Sequence, residues 1–342
     1  MGLIECKCPN CGSVLKINNN LESAVCEYCG STFVVEKAIY NITNITNNNI
    51  NAQTVNIYQG NSDFDIEARI LKRYKGENTI VHIPENVKIS ECKFPDGVTE
   101  IYYPDTCITV NNKFPTSLEK IKLPSGLTWL PESCFEGCDR LKEVIMPKSL
   151  RAIPKSCFKG CTALKKIELY EGLETIEPYA FQKSGLEEIN LPKTLKGIGL
   201  AALSGTNIEE IEIPGIKEVG YFMSDCPRLN RVKLNEGTKK IRNTFQWCGK
   251  LMYINIPRSV EVIDCPFMRC NSLWKIFIPA SVKCITDHSF EDCTILTVYC
   301  EQQKPKIGHP KGWERNWANN IFNKPTLKDI VWGCSEEEYN KL

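Results

Sequence analysis

Histidine is nearly missing from this chain: His82, His288 and His309 are the 3 in 342 residues, and they lie far apart. A histidine-based active site has little raw material here. Long apolar runs are also lacking, so no helical membrane span is expected. The opening residues, Met1-Gly2-Leu3-Ile4-Glu5-Cys6-Lys7, contain no apolar core of a secretory signal, and Cys6 stands where an acylation motif would want Ser or Thr. A cytoplasmic location is the expectation. A charge surplus is absent as well: 42 basic residues face 41 acidic ones, for a formal charge of +1. A general polyanion binder would need a basic excess to displace counterions from phosphates, so nucleic acid is not the expected partner. Finally, there is no G-x-x-x-x-G-K-S/T, no H-E-x-x-H and no G-x-S-x-G. Neighbouring acidic pairs such as Glu187-Glu188 and Glu209-Glu210 would point to opposite faces of a strand rather than form acid/base dyads. The expectation is a protein without catalytic activity.

What the chain has in quantity is a repeat and cysteine. From residue 78 to residue 295 units open roughly every 22 residues, at Asn78, Val98, Leu118, Leu141, Leu164, Leu186, Ile208, Leu229, Leu251 and Leu273. Most read L-x-x-I-x-I/L-P, then an apolar stretch, then Phe followed three residues later by Cys. Examples are Leu118-Ile121-Leu123-Pro124 with Phe135-Cys138, and Leu251-Ile254-Ile256-Pro257 with Phe267-Cys270. A period of this length marks a solenoid, in which no unit buries its apolar face without its neighbours. The chain has 19 cysteines, of which Cys138, Cys161, Cys226, Cys248, Cys270 and Cys293 share one register and should stack as a column. In a reducing compartment they act as small buried hydrophobes rather than disulfide partners.

These residues resemble the BspA-like branch of leucine-rich repeat proteins. Leu273-Trp274-Lys275-Ile276-Phe277-Ile278-Pro279 with Ser281-Val282, Ile285, Phe290 and Cys293 follows its pattern closely. The resemblance covers about two-thirds of the chain. It implies a β-rich leucine-rich repeat solenoid of about ten repeats, one short strand each, with an irregular or short-helical opposite side, arched like a horseshoe and used for protein–protein contact. Some relatives are surface adhesins, which the missing secretory signal opposes here. The units at Asn78 and Val98 are only 20 residues long, Tyr170 replaces the expected Pro, and Leu203 and Thr206 replace Phe and Cys in the sixth unit.

The strongest chemical signal precedes the repeats. Cys8-Pro9-Asn10-Cys11-Gly12 and Cys26-Glu27-Tyr28-Cys29-Gly30 form C-x2-C-x14-C-x2-C. Four thiolates at this spacing suit tetrahedral Zn²⁺, and with all four corners taken by protein the zinc is structural. Two disulfides or an iron centre are the alternatives. Val14–Ile17 and Thr32–Val35 read as short strands, so residues 1–37 resemble a zinc ribbon. Many ribbons grip nucleic acid, but Lys7, Lys16 and Lys37 are outnumbered by Glu5, Glu22, Glu27 and Glu36. A docking module is favoured over a nucleic-acid-associated regulator.

Residues 38–61 are Asn-rich and uncharged, and read as a linker; Ile42, Ile45, Ile50, Val55 and Ile57 leave open β-structure or self-association through residues 41–58. Residues 62–77 read as a cap hairpin turning at Lys75-Gly76, and residues 296–342 as a Trp-rich C-terminal cap. Strand alternation places Ile121 and Leu123 in the core and their neighbours outside, giving a face about 45 Å long at about 4.8 Å per strand. Along it Glu210 and Glu212 make the centre acidic, while Tyr253 and Phe277, edged by Met252 and Trp274, present aromatic surface near the C-terminal end. These six residues are the candidate contact with a protein partner, unless the C-terminal cap folds over them.

Overall fold

The computed structural model describes residues 3–7, 14–18, 23–25, 32–34, 63–67, 70–84, 88–107, 110–319 and 327–342. Residues 63–342 build a β-solenoid of about ten turns. On one side of each turn the I-x-I segment forms a short strand, and successive strands pair in parallel and in register. Val81, Ile101, Ile121 and Val144 align across the first four. The ladder resumes through Lys166–Ile167 and Glu188–Ile189, then Glu210–Ile213, Arg231–Leu234 and Tyr253–Ile254, and ends with Lys275–Ile278, Thr297–Cys300 and Asp329–Trp332. Alternation is strict in Glu210–Ile213 and Arg231–Leu234, where each second residue is buried. Proline ends most of these strands because it has no N–H for the ladder.

The opposite side is a correction to the expectation of one strand per repeat with an irregular or short-helical back. A second parallel ladder runs there through Ala152–Ile153, Thr175–Ile176 and Gly197–Ile198, and then Glu218–Gly220, Lys240–Arg242, Val262–Asp264 and Cys284–Ile285. These strands are two or three residues long. Their β-branched residue, such as Ile176 or Ile263, points into the core and supplies the pairing without a helix.

The third side is the Phe-to-Cys turn, and its backbone repeats as closely as the side chains. Two residues four apart adopt left-handed conformations: Ser133 and Gly137, Ser156 and Gly160, Tyr179 and Lys183, Ala201 and Gly205, through to His288 and Asp292. Non-glycine residues in this region are strained. The strain is held by hydrogen bonds between turns, such as Phe135 N–H to the Cys157 carbonyl (3.0 Å) and Phe158 N–H to the Ala180 carbonyl (2.7 Å).

Inside, Phe114, Phe135, Phe158 and Phe181 stack with ring centroids 4.6, 5.1 and 5.3 Å apart. Leu203 and Met223 interrupt the column, which resumes with Phe245, Phe267 and Phe290. The cysteine register explains itself chemically. The carbonyls of Phe135, Phe245 and Phe267 each accept the amide of their own turn's cysteine and the thiol of the next turn's. Thus Phe135 O takes Cys138 N–H (3.1 Å) and Cys161 Sγ (3.1 Å), and Phe267 O takes Cys270 N–H (3.1 Å) and Cys293 Sγ (3.1 Å). A hydrophobic side chain there would leave the second lone pair unused. Ser184 occupies this register with its hydroxyl buried and unpartnered. Burial pushes the Cys138 and Cys293 thiols up to about 12. None of the cysteines from Cys92 to Cys334 forms a disulfide, and the close Cys134–Cys157 pair has sulfurs 3.4 Å apart, not bonded.

In several turns a serine or threonine two residues after a proline ties neighbouring loops together. Ser117 Oγ accepts from Gly97 N–H and donates to Val98 O, and Thr194 Oγ1 does the same with Gly172 and Leu173. Trp313, Trp317 and Trp332 cluster at the C-terminal end, with Trp313 Nε1 donating to Val282 O at 3.3 Å. Trp313 and Trp317 are part of the core at this end, with Trp332 packed against it. At the other end Phe64–Glu67 pairs antiparallel with Ile70–Tyr74, which pairs in parallel with Lys88–Lys93 and through it with Val110–Asn111. The hairpin is present, but its reversal falls between Glu67 and Ile70 rather than at Lys75-Gly76. Lys75 N–H instead closes the hairpin's far end on Asp63 O at 2.6 Å. No helix among the described residues is long and apolar enough to cross a membrane.

Candidate protein-binding face

The first ladder turns its alternate side chains outward. From the N-terminal end these are Ile80 and His82, Glu100 and Tyr102, Lys120 and Lys122, and Glu143 and Ile145, all partly or fully exposed. Charges on the face are matched between turns. Lys120 meets Glu143 at 3.0 Å and Lys166 meets Glu188 at 2.5 Å. The acidic centre is therefore less bare than its composition suggests. Glu210 lies beside Arg231 in the ladder, and Glu212 accepts from Asn235 Nδ2 (2.9 Å) and Lys233 Nζ (3.0 Å). The Asn235 amide, followed by the Lys233 ammonium, holds the Glu212 carboxyl below its usual range. Such exposed pairs add little stability and leave the face polar and hydrated.

Toward the C-terminal end the surface changes. Met252 is 51% exposed and Trp274 45% exposed, in neighbouring turns just before their strands. An open recess of about 260 Å³ lies beside Met252, lined also by Glu209, Arg228, Asn230, Lys250 and Ser272. Tyr253 is half-buried with the Arg231 guanidinium 4.6 Å from its ring centroid. Lys275 Nζ sits 4.8 Å from the Trp274 ring centre. Aromatic and thioether side chains are enriched at protein interfaces, and cations stack favourably on aromatic faces.

Phe277 corrects the expected exposure. It faces outward, as alternation requires, yet is only 6% exposed, because the C-terminal helix Glu336–Asn340 lies over it. Tyr339 packs on Phe277 and on Tyr299, with ring centroids 5.5 Å away in both cases. Tyr299 and Tyr339 thus belong to this face although sequence reasoning did not select them. Tyr299 was legible as the next residue in the Phe277 register, and Ser335-Glu336-Glu337-Glu338 as a capping box, which the structure forms.

Cys8, Cys11, Cys26 and Cys29 lie outside the described residues, as does the Asn-rich segment 41–58. Two antiparallel pairs flank the cysteines in sequence: Leu3–Lys7 with Val14–Asn18, and Ser23–Val25 with Thr32–Val34. Each C-x2-C therefore falls in the connection of a hairpin. Among the described residues no cluster of His, Cys, Asp and Glu could hold a metal ion.

The model of the BspA type leucine rich repeat region, a unit of 6 copies, matches residues 111–223 and 198–310, together more than half of the chain. Among solved structures, a leucine-rich repeat protein of Bacteroides ovatus shares 24% identity, covers 74% of this chain and 76% of its own, and superposes with a TM-score of 0.44. A leucine rich cell surface protein of Faecalibacterium prausnitzii shares 18% identity over 82% of this chain and 96% of its own, with a TM-score of 0.38. The T. pallidum leucine-rich repeat protein shares 21% over 61% and 86%, with a TM-score of 0.34. Among curated proteins none matches. Repeats of this kind generally mediate protein–protein contact and are typically not enzymes. With its repeat register, ladders and Phe–Cys turns in place, the chain belongs to the BspA-type leucine-rich repeat family.

Proposed function

We propose that this protein is a non-catalytic recognition scaffold that binds a protein partner on the outward face of its first ladder. The observation that carries the reading is the exposed pair Met252 and Trp274, set on a rigid, fully packed solenoid beside Tyr253 and the charged stretch at Glu210 and Glu212. The scaffold acts in the cytoplasm. In support, its buried cysteines serve as reduced hydrogen-bond donors in a repeating pattern. Cell fractionation tests the location; recovery only outside the cell refutes it.

Met252→Ala with Trp274→Ala is the direct test of the face. A crosslinking pull-down from native extract should lose its principal partner at least about tenfold, with the melting curve within about 2 °C of the parent, because exposed anchors contribute to binding and little to folding. Unchanged capture by a folded double variant rules this face out.

For residues 1–37 the proposal is a structural zinc ribbon held by Cys8, Cys11, Cys26 and Cys29, serving as a docking module. The donor set supports it, four soft thiols in two hairpin connections, in a segment too short to fold on apolar burial alone. Bound there, zinc would supply folding energy, not chemistry. Elemental analysis should give about one zinc per chain, lost in Cys26→Ser. Full zinc in that variant refutes the assignment.

A further inference from the structure

Among the features outside the exposed pair, the C-terminal helix is placed where an end cap has no need to be. The solenoid end is already closed by Trp313, Trp317 and Trp332. Glu336–Asn340 lies instead on the strand face, over the outward residues Phe277 and Tyr299. Its apolar contacts form a small cluster separate from the main core: Phe277, Cys334 and Tyr339, with Tyr299 and Val331 alongside.

The seat of this helix rests on few contacts. Five residues are too few for a helix that is stable by itself. Gly333, with φ +71°, joins it to the last strand at a point where the backbone can change direction. Its ionic anchor is Arg258, which meets Glu301 at 3.0 Å and Glu336 at 2.9 Å, with the Arg258 and Glu336 side chains about half exposed. Tyr339 is 6% exposed and its hydroxyl is buried without a hydrogen-bond partner. An unpaired buried hydroxyl opposes closure, so the ring is accepted by the site and its polar tip is not.

We propose that residues 335–342 are an intramolecular ligand of the strand face, and that the patch they cover takes an external acidic segment carrying one aromatic ring. This rests on the reading of the strand face as the binding surface and names the chemistry of what binds there. Within the segment two side chains meet the face, the Glu336 carboxylate and the Tyr339 ring, while Glu338 caps Ser335 and Glu337 pairs with Lys341. The face answers with Arg258 for the carboxylate and with Lys275, whose Nζ is 4.7 Å from the Tyr339 ring centre. The same Lys275 also touches the exposed Trp274. A longer partner segment seated on Phe277 and Tyr299 therefore continues onto the uncovered aromatic surface. This is the helix-in-groove mode, with an aromatic anchor and a charged flank.

The probe is an acetylated, fluorescent peptide of residues 335–342, measured by anisotropy against the full chain and against a chain ending at Cys334. The shortened chain should bind it. The full chain should bind at least about tenfold more weakly, because its tethered copy competes at an effective concentration on the order of millimolar. A peptide with alanine at the Tyr339 position should not bind either. Tyr339→Ala in the full chain serves where the shortened chain fails to fold, and should likewise restore peptide binding. Tyr339→Phe, which removes the orphaned hydroxyl, should weaken it below the full-chain level. Equal binding by full and opened chains, or none by a folded opened chain at 1 mM peptide (the order of the effective concentration), overturns the proposal. Peptide binding reports on the covered patch alone, whereas the Met252 and Trp274 pair reports on the open one, so the two readings fail separately.

Discussion

Truncating Phe158 should unpin the middle of the solenoid. Its ring is fully buried between Phe135 at 5.1 Å and Phe181 at 5.3 Å, within 6° of parallel to both. Phe→Ala in a packed core costs about 3–5 kcal/mol, and each stacked aromatic contact adds about 0.5–1.5 kcal/mol beyond area. Phe158→Ala loses two such contacts and leaves a void that laddered backbone on either side cannot collapse, so the loss belongs at the upper end, about 5 kcal/mol. Phe158→Leu is the informative control. The chain itself carries Leu203 in this register, fully buried, so a branched aliphatic fits the turn. That variant should cost about 1–2 kcal/mol. Urea unfolding followed by far-ultraviolet dichroism, with hydrogen exchange of the amides around residues 135–181, measures both. Nearest-neighbour coupling predicts that protection falls first in the turns flanking Phe158 and spreads outward. An alanine variant within 1 kcal/mol of the parent, or a leucine variant as costly as alanine, would refute the claim that stacking in this column holds the turns together.

Ser184→Cys should stabilise by about 1 kcal/mol, because it removes an unpaired buried hydroxyl and places a thiol where Cys161 and Cys293 reach the preceding Phe-register carbonyl; no change in the urea midpoint counts against that account. Stability should fall steeply above pH 9. Burial raises the Cys92, Cys138, Cys293 and Cys300 thiols from 9.0 to about 12, so unfolding releases their protons in that window and each costs about 1.4 kcal/mol per pH unit. The stability these thiols contribute is intact below pH 9 and is lost as pH approaches 12. Comparing the parent with Cys138→Ala by urea melts between pH 8 and 10.5 checks the sign, and identical slopes would refute it.

Why some of this was readable from residues and some was not follows from the range of each interaction. The inward pair of each strand, such as Ile211 and Ile213, is set by alternation over four residues, and the cysteine column by spacing to the Phe that its thiol serves. Both repeat, so ten noisy copies reinforce one signal. The second ladder was invisible because strands like Thr175–Ile176 are two residues long and carry no alternation of their own; they exist only because the turn above and the turn below present the same two residues. Phe277 shows the opposite limit. Its outward direction was legible from Ile276 and Ile278, but its burial depends on Tyr339, contributed once by a segment that repeats nowhere. Repetition therefore reveals the frame, and the places where the frame is interrupted locate what is particular to this chain. Met252 and Trp274 break a row that elsewhere holds Glu119, Lys142, Lys165, Glu187 and Glu209, and the short helix breaks the symmetry of the end beside them. Two departures meet at this corner of the solenoid, which is why the proposed recognition site is put there.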